Sequence, residues 1–178
     1  DYYTLRMVRS VRIHYFQLAQ SLYADMMNAQ RDTTEAGQAR VTELKEKVGN
    51  VLDSHFDKLP IDNVPYMSMT IKLAGLYYAI DDTAKGNKYC GQHAELIAEN
   101  IRYYSEQNFA YKKEMLPQVG DFLNEMEELG QLNPKFKYKA YDEEGYNKLG
   151  QAIQKLVTKD NETFQRIRNS VQAAIQSR

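Results

Sequence analysis

The sequence predicts an all-α protein, and three observations carry that prediction. Apolar residues recur at three- and four-residue steps through most of the chain. Four prolines and nine glycines are too few for a turn-rich β architecture. No segment alternates apolar and polar residues as a half-buried strand does.

Each element follows from its own signals. Leu5, Val8, Val11, Tyr15, Leu18 and Leu22 form the inward face of a first helix, with Arg6, Arg9 and Arg12 on its other side. A second helix spans about 35–58, with Val41, Leu44, Val48, Leu52 and Phe56 on one face, and Pro60 ends it. A third covers about 66–80. The acidic turn Asp81–Asp82 separates it from a fourth, to about Gln107, and helps to start that helix. A fifth runs from Tyr111 to Leu129, bent or restarted at Pro117, because proline cannot donate the helical hydrogen bond. The stretch "GQLNPKFKYKAYD" reads as the one long irregular segment. Two helices close the chain, about 143–158 and 162–176, the last capped by Asp160 or Asn161.

Composition narrows the function. The 178 residues suffice for a single helical domain with its own core, and 43% hydrophobic with 26% charged residues is ordinary globular usage. With 23 basic against 24 acidic residues the charge is nearly balanced, which argues against a nucleic-acid partner. No apolar run approaches the ~20 residues of a membrane span. The chain opens at Asp1 inside a helical pattern, as expected of a segment of a longer protein. Fourteen tyrosines without a tryptophan suit both half-buried helix seams and binding surfaces.

The spacing contains a repeat. Leu73, Ala74, Tyr77, Gly86 and Cys90 match the tetratricopeptide (TPR) pattern, in which small residues let two paired helices cross closely. A degenerate first copy reads from Leu18, Ala19 and Leu22 to Val48, Leu52 and Pro60, with Val48 where the pattern has alanine. An insertion at about 24–40 lengthens that first hairpin and its turn. Residues 5–107 are therefore expected to form two TPR-like hairpins, and 108–178 additional helices packing on them.

The segments "RSVRIHYFQLAQSLYAD", "VLDSHFDKLPIDNVPY", "MTIKLAGLYYAIDDTAKGNKYCGQHAEL" and "IRYYSEQ" resemble the C-terminal tail of a family of large bacterial polytopic membrane proteins. Those proteins carry a domain of unknown function and are similar to protein O-mannosyltransferases. The resemblance covers about Arg9 to Gln107, and this chain departs from it in the insertion after Tyr23. It implies a soluble, extracytoplasmic (periplasmic) module attached to the membrane through its parent. Any transferase chemistry would then belong to the absent membrane portion, and no catalytic residue carries over.

The residues themselves point to no catalytic, cofactor or metal site. His14, His55 and His93 are scattered without ligand spacing. Asp53 and Asp57 share a helix face that reads as a solvated side. Cys90 lacks a partner for a disulfide and sits at an apolar helical position, so it reads as buried structure. "KFKYKAY" interleaves basic and aromatic residues, a pattern able to stack on single strands or sugars, but reads better as a loop that packs its tyrosines. Arg6, Arg9 and Arg12 read as a solvated face, with an anionic lipid surface as the other option. "NET" at Asn161 fits a glycosylation triplet, which chance often produces.

Two functions fit. The first is a non-catalytic interaction or scaffold module that binds a protein or peptide, or docks on its parent's membrane domain. Phe16, Gln20, Tyr23, Ser68, Ile71 and Tyr78 would line its groove, unless the C-terminal helices fill that groove. The second is a carbohydrate-binding accessory domain presenting tyrosine faces to sugar rings.

Overall fold

A computed structural model describes residues 2–61, 63, 68–107, 116–141, 143–156, 165–166, 169–170 and 172–173. Its elements are α1 (Tyr2–Ala29), α2 (Glu35–Lys58), α3 (Ser68–Ala79), α4 (Thr83–Ser105), α5 (Leu116–Leu132), α6 (Pro134–Ala140) and α7 (Glu143–Leu156). Among the described residues there is no strand, so the chain is all-α. It divides into two compact units, Asp1–Cys90 and Gly91–Arg178, with α4 beginning in the first and ending in the second.

In the first unit α1 and α2 form a long hairpin. Residues 24–29 continue α1 and 35–40 open α2, so the segment 24–40 is helical on both sides of its turn. The turn between them is tightly built. Asp32 Oδ1 accepts the Thr34 N–H at 3.0 Å, and Thr34 Oγ1 caps α2 by accepting the Gly37 N–H at 3.2 Å. A Cβ at Gly37 would lie 2.2 Å from the Asp32 carbonyl oxygen, so only glycine lets the turn fold this closely.

The inward face of α1 differs from the expected one. Val11 and Leu18 are 42% and 52% exposed, while Arg12 is 1% exposed and Ala19 and Met26 are buried. The face that packs runs through Val8, Arg12, Tyr15, Ala19, Leu22 and Met26, at alternating four- and three-residue steps. Arg12 therefore does not belong to a solvated arginine face. Arg12 is buried along its whole length, and Ala19 at the next turns is fully buried as well. Leu18, the first repeat's leucine, is thus displaced from its expected place, whereas Ala19, Val48 and Leu52 are fully buried.

The second hairpin matches its spacing. Leu73, Ala74, Tyr77, Gly86 and Cys90 are all buried. Gly86 sits under the Tyr78 ring, where a Cβ would come within 2.9 Å of ring carbons. The connecting turn is a helix-ending motif followed at once by a cap. Asp81 takes a left-handed φ of 63°, and the Asp81 and Asp82 N–H groups donate back to the Tyr78 and Tyr77 carbonyls at 3.1 and 2.8 Å. Asp82 Oδ1 then accepts the Lys85 N–H at 3.1 Å and caps α4.

In the second unit, α5 starts at Leu116 with Pro117 in its first turn, where a missing N–H costs nothing. Val119, Leu123, Met126 and Leu129 form its buried face. The expected irregular stretch after Leu129 is instead helical. α5 continues to Leu132, and α6 starts with Asn133 accepting the Lys135 N–H at 3.2 Å and Pro134 at the first helical position. Phe136 and Ala140 bury, while Lys137 and Lys139 pair with Glu127 and Glu95 at 2.9 and 2.5 Å. The Tyr146 hydroxyl of α7 donates to Met126 Sδ at 2.9 Å. The side chain of Leu5, residues 66–67 and 111–115, the cap at 160–161, the Asn161 triplet and most of the expected last helix lie outside the described residues.

Two substitutions check this packing. Ala74→Leu over-packs the α3 core position and should cost about 1–3 kcal/mol in a denaturant titration. Asp81→Gly should stabilise by up to about 1 kcal/mol, since glycine adopts the left-handed conformation without steric cost. The ion pair it removes, Lys45 to Asp81 at 2.9 Å, is well solvated and contributes little. A neutral Ala74→Leu, or a destabilised Asp81→Gly, would contradict these assignments.

Candidate functional site

The densest polar cluster in the first unit is built by α2, α3 and the start of α4. Asp53 of α2 accepts the Tyr77 hydroxyl at 2.7 Å and the Lys85 ammonium at 2.7 and 2.8 Å. Lys85 also reaches Asp82 at 3.5 Å. Beside this cluster three rings pack together. Phe56 stacks on Tyr89 with centroids 3.6 Å apart and planes 11° off parallel, and Tyr77 lies 5.7 Å from Tyr89. Asp53 is therefore tied into the fold rather than part of a solvated helix side, while Asp57 is exposed.

The protonation states follow from these partners. Burial alone would raise the Asp53 carboxyl, but the Lys85 and Tyr77 hydrogen bonds outweigh it and hold it below its usual value. The same bond to Asp53 raises Lys85. Burial first, and Asp53 second, push the Tyr77 hydroxyl far above the ordinary phenol range. At neutral pH the cluster is a fixed carboxylate, ammonium and phenol, which is a structural clamp.

A second cluster lies where α1 meets α2. His55 is fully buried, and neither ring nitrogen has a hydrogen-bond partner. Tyr15 meets its ring edge-on at 5.5 Å and Phe56 at 4.6 Å. The Tyr15 hydroxyl lies 3.2 Å from Ser54 Oγ. Burial, reinforced by the nearby Arg12 guanidinium, lowers His55 to about 4, so it is a neutral imidazole at pH 7.

Cys90 is buried as expected, and burial pushes its thiol up to about 11. That is an unreactive thiol. In the second unit, buried His93 on α4 pairs with Glu125 on α5 at 2.9 Å. Among the described residues, no cluster of three or more His, Cys, Asp or Glu side chains is placed to hold a metal ion.

Of the six residues expected to line a groove, Phe16, Gln20 and Tyr23 fall on α1 and Ser68, Ile71 and Tyr78 on α3. α1 and α3 do pack against each other. Gln20 and Ser68 are exposed, Phe16, Tyr23 and Tyr78 are half-buried, and Ile71 is buried. Tyr78 already has a task within its hairpin: its ring covers Gly86 and its hydroxyl donates to Asn87 Oδ1 at 3.0 Å. Sequence reasoning missed the exposed apolar stripe on α1, formed by Tyr3, Met7, Val11 and Leu18. Its signal was present as a second set of three- and four-residue steps beside the buried set.

No helix of the described residues is long and apolar enough to cross a membrane. No protein-family model, curated protein or solved structure matches the chain.

The clamp makes unequal predictions for its two partners. Asp53→Ala strands the Tyr77 hydroxyl beneath the rings and should cost about 1–3 kcal/mol, as an unmade buried hydrogen bond does. Lys85→Met removes only a half-exposed ion pair and should cost less than about 1 kcal/mol. Equal costs in chemical denaturation would show that Asp53 acts as a surface charge alone.

Proposed function

We propose that this chain is a non-catalytic helical-hairpin module that captures an apolar segment of a protein partner. The observation that carries this reading is the stripe of Tyr3, Met7, Val11 and Leu18, which leaves large apolar side chains in water along one line of α1. A two-sided α1, one face holding the unit together and the other open, is what a scaffold helix needs. Gln20 on α1 and Ser68 on α3 are exposed, on two helices that pack together, and are the candidates for a second, more polar contact.

The TPR-like character of the hairpins belongs to the same proposal, supported by the burial of Leu73, Ala74, Tyr77, Gly86 and Cys90. The family resemblance extends it. The partner would then be a peptide or the parent's own membrane domain, and the module would lie on the extracytoplasmic side. The carbohydrate reading has less support, because a sugar platform needs exposed coplanar tyrosines. Tyr77 and Tyr89 are coplanar but buried, and the more open Tyr103 and Tyr104 meet edge-on at 77°.

Panning a displayed-peptide library on the chain tests the module directly. Enriched peptides should bind wild type and lose at least tenfold in affinity to Met7→Glu/Leu18→Glu or to Gln20→Arg/Ser68→Arg. These surface changes should leave stability within about 0.5 kcal/mol. Tyr78→Ala, by contrast, should lose stability through its Gly86 contact. Binding unaffected by both surface pairs would refute the reading.

A further inference from the structure

We infer that His55 is an acid-sensitive latch: protonating it sets a second positive charge beside buried Arg12 and loosens α1 from α2. This goes beyond the binding module and does not depend on it. The geometry is specific. A fully buried imidazole with no hydrogen-bond partner is an expensive choice at a helix seam, where leucine would pack without a polar penalty. The imidazole is held between the edge of Tyr15 from α1 and the Phe56 ring from α2, neither of which can stabilise an imidazolium by an anionic contact.

The described carboxylates of the helices around it are engaged elsewhere or exposed. From α1 the group acting on His55 is Arg12, which repels it. On α2, Asp53 is committed to Lys85 and Tyr77, and Asp57 is exposed. On α3, Lys72 is exposed, and the Tyr77 and Tyr78 hydroxyls donate to Asp53 and Asn87. At the start of α4, Lys85 is held by Asp53 and Asp82. A protonated His55 has no carboxylate of these elements to turn to, so the response open to it is to reach water. Because Arg12 and Tyr15 are on α1, reaching water means lifting that helix.

Burial and Arg12 lower His55 from 6.5 to about 4 in the folded chain. The opened form, with its ordinary value, therefore binds more protons between these limits. Docking is fully favourable above pH 6.5, weakens as pH falls from 6.5 to 4, and loses nothing further to this group below 4. Between pH 7 and pH 5 the opening equilibrium rises about 20-fold by this linkage.

Hydrogen exchange read by mass spectrometry, corrected for intrinsic rates, tests the latch. Amides of α1 should lose protection relative to those of α3 by about 20-fold from pH 7 to pH 5, and His55→Leu should abolish that dependence. The same pH profile in His55→Leu and wild type would overturn the proposal. Should His55→Leu fail to fold, carbon-labelled histidine in the wild-type chain decides. A His55 resonance that stays neutral at pH 5 while the chain is folded supports the latch, and one that titrates near 6.5 in the folded chain overturns it.

Discussion

The first unit depends on how Asp53 closes the polar edge of the Phe56, Tyr77 and Tyr89 cluster. Three aromatic rings from three helices bury a large apolar surface, but two of them bring hydroxyls that must not be stranded. Asp53 accepts the Tyr77 hydroxyl at 2.7 Å and is itself neutralised by Lys85. That arrangement allows tyrosine, rather than leucine, at the centre of the α3–α4 hairpin. It also fixes which way α4 leaves the turn, because Lys85 follows the Asp82 cap by a single helical turn and reaches back to α2.

The opposite seam is organised by cost rather than gain. Arg12 and His55 place a charge and an unpartnered imidazole where α1 meets α2; with Thr70 they are the fully buried polar side chains among the described residues of the unit. The two seams differ in kind. The α2–α3–α4 seam joins Asp53 to Lys85 and Tyr77, while the α1–α2 seam encloses an imidazole with no hydrogen-bond partner.

Much of the helical architecture was legible because it is written in local signals. The acidic turn shows why. Asp81 and Asp82 end one helix and cap the next through contacts spanning only a few residues. The closely packed small positions Ala74 and Gly86 were readable from spacing for the same reason. The inward face of α1 was not, because classing Arg12 as polar and Ala19 as neutral hides a stripe whose stronger visible rivals, Val11 and Leu18, lie outside. The helix α6 was concealed by a basic, aromatic composition, although Asn133 followed by Pro134 is a sound start signal. Asp53 reads from the sequence as part of a solvated face, and its role in the clamp was hidden. Its partners lie 24 and 32 residues away, and no local pattern encodes such a meeting.

Four titratable side chains described in the first unit are held in the form that does least at neutral pH. Cys90 is a thiol, His55 a neutral imidazole without a proton acceptor or donor in reach, Asp53 an ion-paired carboxylate and Tyr77 a phenol. A general acid or base works best with a value near the operating pH and a hydrogen-bond path to its substrate. These groups are shifted away from neutrality or enclosed by rings. What the unit offers to its surroundings is instead shape: a long helix with apolar side chains facing water, braced from behind by a second hairpin. The proposed binding role would place its specificity in the exposed side chains of α1.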